Sequence, residues 1–271
     1  MRIKIFHETT YAYAPPARWI IQNLRLTPRS FDSQYVLRWR VSVDVDGSLR
    51  HSEDSLGNVV HAFSYQKPLD RLTISAVGEV ETSDAIGVVR GAVETLPHAM
   101  FLRASPLAHI NGSIRDFAAA ATAGVTDPLE RLHMLMGALH KEMTFEADAP
   151  ARTAAAEAFA LRKGGAGDFA HIFIACAQSF DIPARLVSGY VVPSEGETGN
   201  GLYGWAEAFV PGFGWIAFDA VHDLCPNADY VRVAVGFDAL SAAPFRGSHS
   251  GGDEAVTSAL RIEQAMGQGQ N

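Results

Sequence analysis

The sequence predicts an α+β protein: an N-terminal antiparallel β module over residues 1–100, an α+β core over residues 101–266, and a disordered tail over 267–271. Three observations predict it. Apolar and polar residues alternate with period two through the first hundred positions, as in half-buried strands. Helix-start signals follow a change of character near Leu96–Pro106. Strand-like segments joined by tight turns come after those helices, the order expected of an α+β core.

In the first module Arg2-Ile3-Lys4-Ile5-Phe6 reads as a strand, and Leu37, Trp39, Val41, Val43 and Val45 alternate with Arg38, Arg40, Ser42 and Asp44. Asp46-Gly47 then offers a hairpin turn. Val59, His61, Phe63 and Tyr65 repeat the alternation, as do Leu72, Ile74 and Ala76 beyond Pro68. In the core, Asp127-Pro128-Leu129-Glu130 is a helix start, with Asp as N-cap, Pro at N1 and Glu at N3. Leu129, Leu132, Met136 and Leu139 mark the buried face of that helix. His133 and His140 lie seven apart on that helix and could share a face, but with no third ligand they read as structural. Thr153 is the expected cap of a short Ala-rich helix that Gly164 ends. A second apolar helix opens after Gly167 and stops before Pro183. Strands are expected at Arg185–Val192, Tyr203–Val210, Trp215–Asp219 and Tyr230–Val235, with Pro211-Gly212-Phe213-Gly214 as a hairpin turn. The Gln/Gly-rich end is expected to be disordered.

The 271 residues suffice for one large or two modest domains, and 48% hydrophobic with 19% charged residues is ordinary for a globular chain. A formal charge of −8 without a Lys/Arg cluster excludes nucleic acid as the expected partner. It also disfavours simple adhesion to anionic membranes. No run of about 18 apolar residues predicts a membrane span, and no signal-peptide core is visible, so the default location is cytoplasmic. Cys176 and Cys225 read as two reduced thiols rather than a disulfide framework.

The stretch Gly164-Gly165-Ala166-Gly167-Asp168-Phe169-Ala170-His171 carries the most chemistry. A Gly-rich turn opens an apolar helix (Phe169, Ile172, Phe173, Cys176, Ala177, Phe180), and a helix N-terminus favours a thiolate and binds an oxyanion. The residue at the turn is Ala166, which can neither attack nor transfer a proton.

Three segments in this order resemble bacterial transglutaminase-like proteins of the papain-like thiol superfamily. They are Gly164–Ala177 followed by Ile182-Pro183-Ala184-Arg185-Leu186-Val187-Ser188-Gly189-Tyr190, then Trp205-Ala206-Glu207-Ala208-Phe209-Val210-Pro211-Gly212-Phe213-Gly214-Trp215, then Phe218-Asp219. His7-Glu8-Thr9-Thr10-Tyr11 and Leu24-Arg25-Leu26-Thr27-Pro28-Arg29 look like the β module that precedes the core in such proteins. The resemblance implies a transglutaminase/papain-like core with a Cys nucleophile in a C-Q-D-F-A-H segment, a His base in H-A-W, and the Asp of F-D orienting that His. By position the Cys falls on Ala166, the Gln on Gly167, the base on Tyr203 and the orienting carboxylate on Asp219. Asp168, Phe169, Ala170 and His171 match, whereas Ala220-Val221-His222 departs from the usual continuation. Losing a nucleophile or its base alone can cost roughly 10⁶ in rate. Tyrosine, with a pKa of about 10, is a poor base at neutral pH. Thiol, Gln and His are missing together, so the site reads as naturally degenerate.

Four other residues are candidate substitutes for that chemistry: Cys176, Cys225, His171 and His222. Cys176 lies ten residues along the helix from Ala166, roughly 15 Å away, and reads as core. Cys225 follows Asp219 on a loop and reads as structural. His171, one turn after Asp168, could pair with it in a supporting role. His222, three residues after Asp219, is the most tempting substitute base. Trp205 and Glu207 read as structural strand neighbours. No metal site and no cofactor is expected. The binding-cleft candidates are Gly165, Gly167, Asp168, His171, Trp205 and His222. The expected function is that of a pseudoenzyme binding a peptide, acyl or protein partner. The alternative is an active amide-bond hydrolase or acyltransferase rewired through His222 or Cys225. A third reading is a bare interaction surface with the cleft collapsed, and whether the cleft is open or filled by Tyr203 stays open. Partner identity and oligomeric state stay open.

Overall fold

The structure, a computed structural model, describes residues 1–147, 153–193 and 202–265. The chain begins with β1 (Arg2–Ala17), β2 (Trp19–Thr27), β3 (Gln34–Val43), β4 (Ser48–Glu53), β5 (Val59–Tyr65) and β6 (Leu69–Thr82). A short β7 (Val88–Val89) and a 3₁₀ turn at His98–Leu102 lead to α1 (Gly112–Ala121), α2 (Pro128–Glu142), β8 (Thr144–Phe145), α3 (Ala155–Leu161), β9 (Lys163–Gly164) and α4 (Ala166–Gln178). Then come β10 (Ala184–Val191), β11 (Tyr203–Val210), β12 (Gly214–Phe218), β13 (Tyr230–Gly236), β14 (Phe245–Ser250) and β15 (Asp253–Ala265).

The period-two pattern builds two antiparallel four-stranded sheets, ordered β15-β1-β6-β3 and β14-β2-β5-β4. Ile3, Ile5, His7, Thr9, Tyr11 and Tyr13 of β1 are all buried, every second residue of the strand. Tyr11, Tyr13, Ile20, Leu24, Phe63, Leu72 and Ile74 form one apolar cluster within this module.

Asp46-Gly47 is not a hairpin turn. β3 pairs with β6 and β4 with β5, so this turn carries the chain between the two sheets. Gly47 fits there because a Cβ would sit 2.5 Å from Cε2 of Phe63. A second difference lies at the other end. The sequence reading has no strand after Val235, yet β14 pairs with β2, and β15 runs along β1 from Arg2↔Ala265 to Ala14↔Asp253. The first module therefore draws strands from both ends of the chain, and residues 101–266 are not one spatial unit. Both strands are largely exposed, so they lack the hydrophobic alternation that would have marked them. The expected tail at 267–271 lies outside the described residues.

The second unit is a five-stranded sheet, β13-β10-β11-β12-β7, with α4 against one face. Every residue of α4 from Asp168 to Ala177 is buried, which explains a helix apolar on all sides. Leu132, Leu135, Met136 and Leu139 of α2 and Phe159 of α3 join its core, with Ala206 and Ala208 on the facing side of β11. Cys176 belongs to this core, and burial pushes its thiol pKa up.

Asp127 caps α2 as expected, accepting the Glu130 N–H at 2.8 Å. α3 differs from expectation. Its N-cap is Ala154, with no side-chain cap, and it ends at Arg162 in the left-handed region (φ 55°) instead of at Gly164. Arg162 stacks its guanidinium 3.8 Å above the Phe159 ring and pairs with Glu142 at 3.1 Å, contacts that glycine lacks. Gly164 instead leaves room for Asp168, whose Cβ would lie 2.8 Å from a Cβ placed there.

On the sheet face opposite α4, Glu207 is fully buried and accepts from Nε of Arg185 and Nε of Arg232, each at 2.7 Å. Arg185 also forks onto both oxygens of Glu94 at 2.8 Å and lies 3.7 Å over the Trp215 ring. Burial alone would raise the Glu207 pKa, but Arg232 and Arg185 hold it down at about 2. Gln34 ties this network to the N-terminal sheets, accepting the Arg232 N–H at 2.7 Å and donating to the Arg232 carbonyl at 2.9 Å. Glu207→Gln removes the buried carboxylate that Arg232 and Arg185 share, leaving Arg185 only Glu94, and should cost about 3–5 kcal/mol, read as a lower urea midpoint.

Candidate functional site

Helix α4 begins at Gly165, an N-cap without a side chain. Asp168 takes over part of the capping: its Oδ2 accepts the Gly165 N–H at 2.9 Å. The N–H groups of Ala166 and Gly167, in the first turn, have no acceptor within the helix and form the positive end of its dipole. Asp168 itself is only 2% exposed, and burial, partly offset by the Gly165 hydrogen bond, raises its pKa to about 6. His171 is wholly buried, accepts the Ala239 N–H at Nε2 (3.0 Å), and is lowered by burial to about 4. The expected Asp168–His171 pair is replaced by these separate bonds, because Asp168 turns back to the cap while His171 points at the 238–241 turn. Asp168, His171 and Trp205, three of the cleft candidates, are buried, whereas Gly165 and Gly167 are half-buried and His222 is exposed.

The first turn of α4 lies against the start of β11: a Cβ at Gly204 would be 3.5 Å from Gly167 Cα. Tyr203, its neighbour, donates its hydroxyl to Asp219 Oδ1 at 3.0 Å. Ala166, Tyr203 and Asp219 are thus drawn into one region. Asp219 is 1% exposed and is the hub of that region. Its Oδ1 also accepts the Val221 N–H at 2.9 Å, and its Oδ2 accepts Tyr230 Oη and His222 Nδ1, each at 2.7 Å. His222 Nδ1 lies 3.2 Å from the Tyr203 hydroxyl as well. Tyr230, which the sequence marks only as a strand start, is a member of this cluster that sequence reasoning missed. Trp205 packs edge-on against it, ring centroids 5.4 Å apart.

Cys225 sits elsewhere, its Sγ 3.6 Å from Nε2 of His133, whose Nδ1 is 2.9 Å from the Leu129 carbonyl. Burial raises the Cys225 pKa to about 11, the wrong direction for a nucleophile. His140 Nδ1 bonds the Val221 carbonyl at 2.9 Å, so both histidines of α2 brace the 218–225 loop. Among the described residues, no group of three or more His, Cys, Asp or Glu side chains is placed to hold a metal ion, and no helix is long and apolar enough to cross a membrane.

Residues 3–81 match the family described as the bacterial transglutaminase-like N-terminal region, and residues 115–220 match the transglutaminase-like superfamily. The chain is a transglutaminase-like protein. A candidate cysteine protease of Cytophaga hutchinsonii shares its fold, with a TM-score of 0.78 at 20% identity over 97% of this chain and 90% of that one. An uncharacterized protein of Mycobacterium leprae (strain TN) is 29% identical over 92% of this chain and 94% of its own length. The periplasmic domain of TgpA from Pseudomonas aeruginosa superposes with a TM-score of 0.40 at 15% identity, over 79% of this chain and 87% of that one.

This transglutaminase-like site can therefore offer backbone N–H groups, a half-buried phenol and an imidazole held by a carboxylate. Its buried acid gives a measurable signature. Asp168 ionises near 6 when folded and near 3.8 when unfolded, so it costs stability as pH rises through that interval, and the cost persists above it. Asp168→Asn keeps an acceptor for Gly165 and should melt higher than wild type at pH 7.5, the gap closing by pH 4. His171 has the opposite sign. Its contribution is full above 6.5 and is lost as pH falls toward 4, in both proteins alike.

Proposed function

We propose that this transglutaminase-like protein is a pseudoenzyme, which binds a peptide, acyl or protein partner at the α4–β11 cleft and does not cleave it. The observation that carries this reading is the Tyr203–Asp219 hydrogen bond of 3.0 Å. At the position where the resemblance puts a proton-accepting imidazole, a phenol donates a hydrogen bond to the carboxylate. Beside it, Ala166 presents a methyl group at the helix N-terminus. The N–H groups of that first turn, which lack an acceptor within the helix, suit a carbonyl oxygen or carboxylate, a means of binding without a means of attack.

A second reading rests on one distance. His222 Nδ1 at 2.7 Å from Asp219 Oδ2 is an oriented imidazole, the arrangement a general base requires. It would need water as its nucleophile in an amide-bond hydrolase.

Peptide-hydrolysis and amine-incorporation assays separate the two. The pseudoenzyme reading expects wild type, His222→Ala and Cys225→Ala all to match the protein-free rate. Turnover by wild type that disappears in His222→Ala would establish the second reading. Labelling tests the scaffold itself. With Cys225 raised to about 11, wild type should react with iodoacetamide at pH 7 roughly a hundredfold slower than a free thiol. Ala166→Cys should add a fast-reacting thiol, because a helix N-terminus stabilises the thiolate.

A further inference from the structure

Strand β15 forms a long sheet edge that no other described strand covers. It spans thirteen residues, against six for β4 and six for β14 at the edges of the other N-terminal sheet. Every residue from Asp253 to Ala259 is exposed, and no described strand lies on its outer side. β3, at the far edge of the same sheet, carries Arg38 and Arg40 and a register irregularity between Val36 and Arg38, devices that blunt an edge. β15 has no proline, no lysine and an unbroken register with β1. Its face toward the interior of the module shows Val256, 51% exposed, with Leu260 and Ile262 partly exposed.

We infer that β15 pairs antiparallel with β15 of a second copy of this chain, making one continuous eight-stranded sheet across a two-fold axis. The charges select the register. With the axis at Thr257, Arg261 faces the partner's Asp253 on both sides of the axis, and Thr257 faces the partner's Thr257. On the other face Val256 lies diagonal to the partner's Leu260 and to the partner's Val256. With the axis at Ser258, Glu263 would instead face the partner's Asp253, two like charges directly opposed. With the axis at Ala259 no charge meets another. Directly opposed opposite charges and Thr–Thr pairs stabilise a ladder and like charges destabilise it, so the first register is preferred.

Sedimentation velocity on the full chain tests this. Wild type should be dimeric at micromolar concentration. Thr257→Lys, which sets two ammonium groups across the axis, should be monomeric with an unchanged far-UV circular dichroism spectrum. Arg261→Asp and Asp253→Arg should each weaken the dimer by about tenfold or more. The double exchange should recover it, which no misfolded single variant would do. A wild type that stays monomeric at about 100 μM, single variants that dimerise as well as wild type, or a double exchange that fails to recover the dimer would overturn the proposal.

Discussion

Strand β11 can carry the site because a carboxylate without any exposure, Glu207, is neutralised from two sides. Directly opposite it on β10 stands Arg185, and from β13, the strand beyond β10, Arg232 reaches over to the same carboxylate. Removing a charge from water is expensive unless its hydrogen bonds are made elsewhere, and here two guanidiniums supply them. The same alternation then sets the rest of the strand. Ala206 and Ala208 face α4, while Tyr203, Trp205 and Glu207 share the opposite face. One strand thus fixes the distance to the helix, anchors itself by charge, and presents a tyrosine at its open end.

Asp219 plays the corresponding part at the cleft, by hydrogen bonds alone. Its two oxygens accept from two tyrosine hydroxyls, a backbone N–H and an imidazole. A carboxylate so supplied holds its partners in place. The backbone exchanges of Asp219 with Leu224, 2.9 and 3.2 Å, close the loop that brings His222 back over it. The loop is in turn held from outside by His133 and His140 of α2, the pair whose seven-residue spacing had no visible purpose in the sequence.

What the sequence made legible follows from the strength of each local signal. Strands with a clean period of two, such as β5 and β6, and a helix with a full start signal, such as α2, were readable because pattern and tertiary contact agree. The Asp46-Gly47 turn misled because turn chemistry is the same whether the two strands pair or diverge, and only Phe63, far along the chain, requires the glycine. β15 was invisible because most of its residues are exposed, with only Leu260 and Ile262 packing against the core, and Arg162 because its left-handed conformation is held by Phe159 and Glu142. At the site, motif order named Ala166, Tyr203 and Asp219 together. It could not name Tyr230, since nothing local distinguishes a tyrosine that bonds Asp219 from one that merely begins a strand.

Around Asp219 the hydrogen bonds make physical sense together. A buried carboxylate short of donors costs free energy. Tyr203 supplies a donor from the start of β11, Tyr230 and the Val221 N–H supply two more, and His222 supplies one from the following turn. An imidazole placed at position 203 would meet an Asp219 whose oxygens already serve Tyr230, Val221 and His222, and it would compete with them for the carboxylate. A histidine at 203 is therefore oriented by Asp219 only if position 222 changes with it.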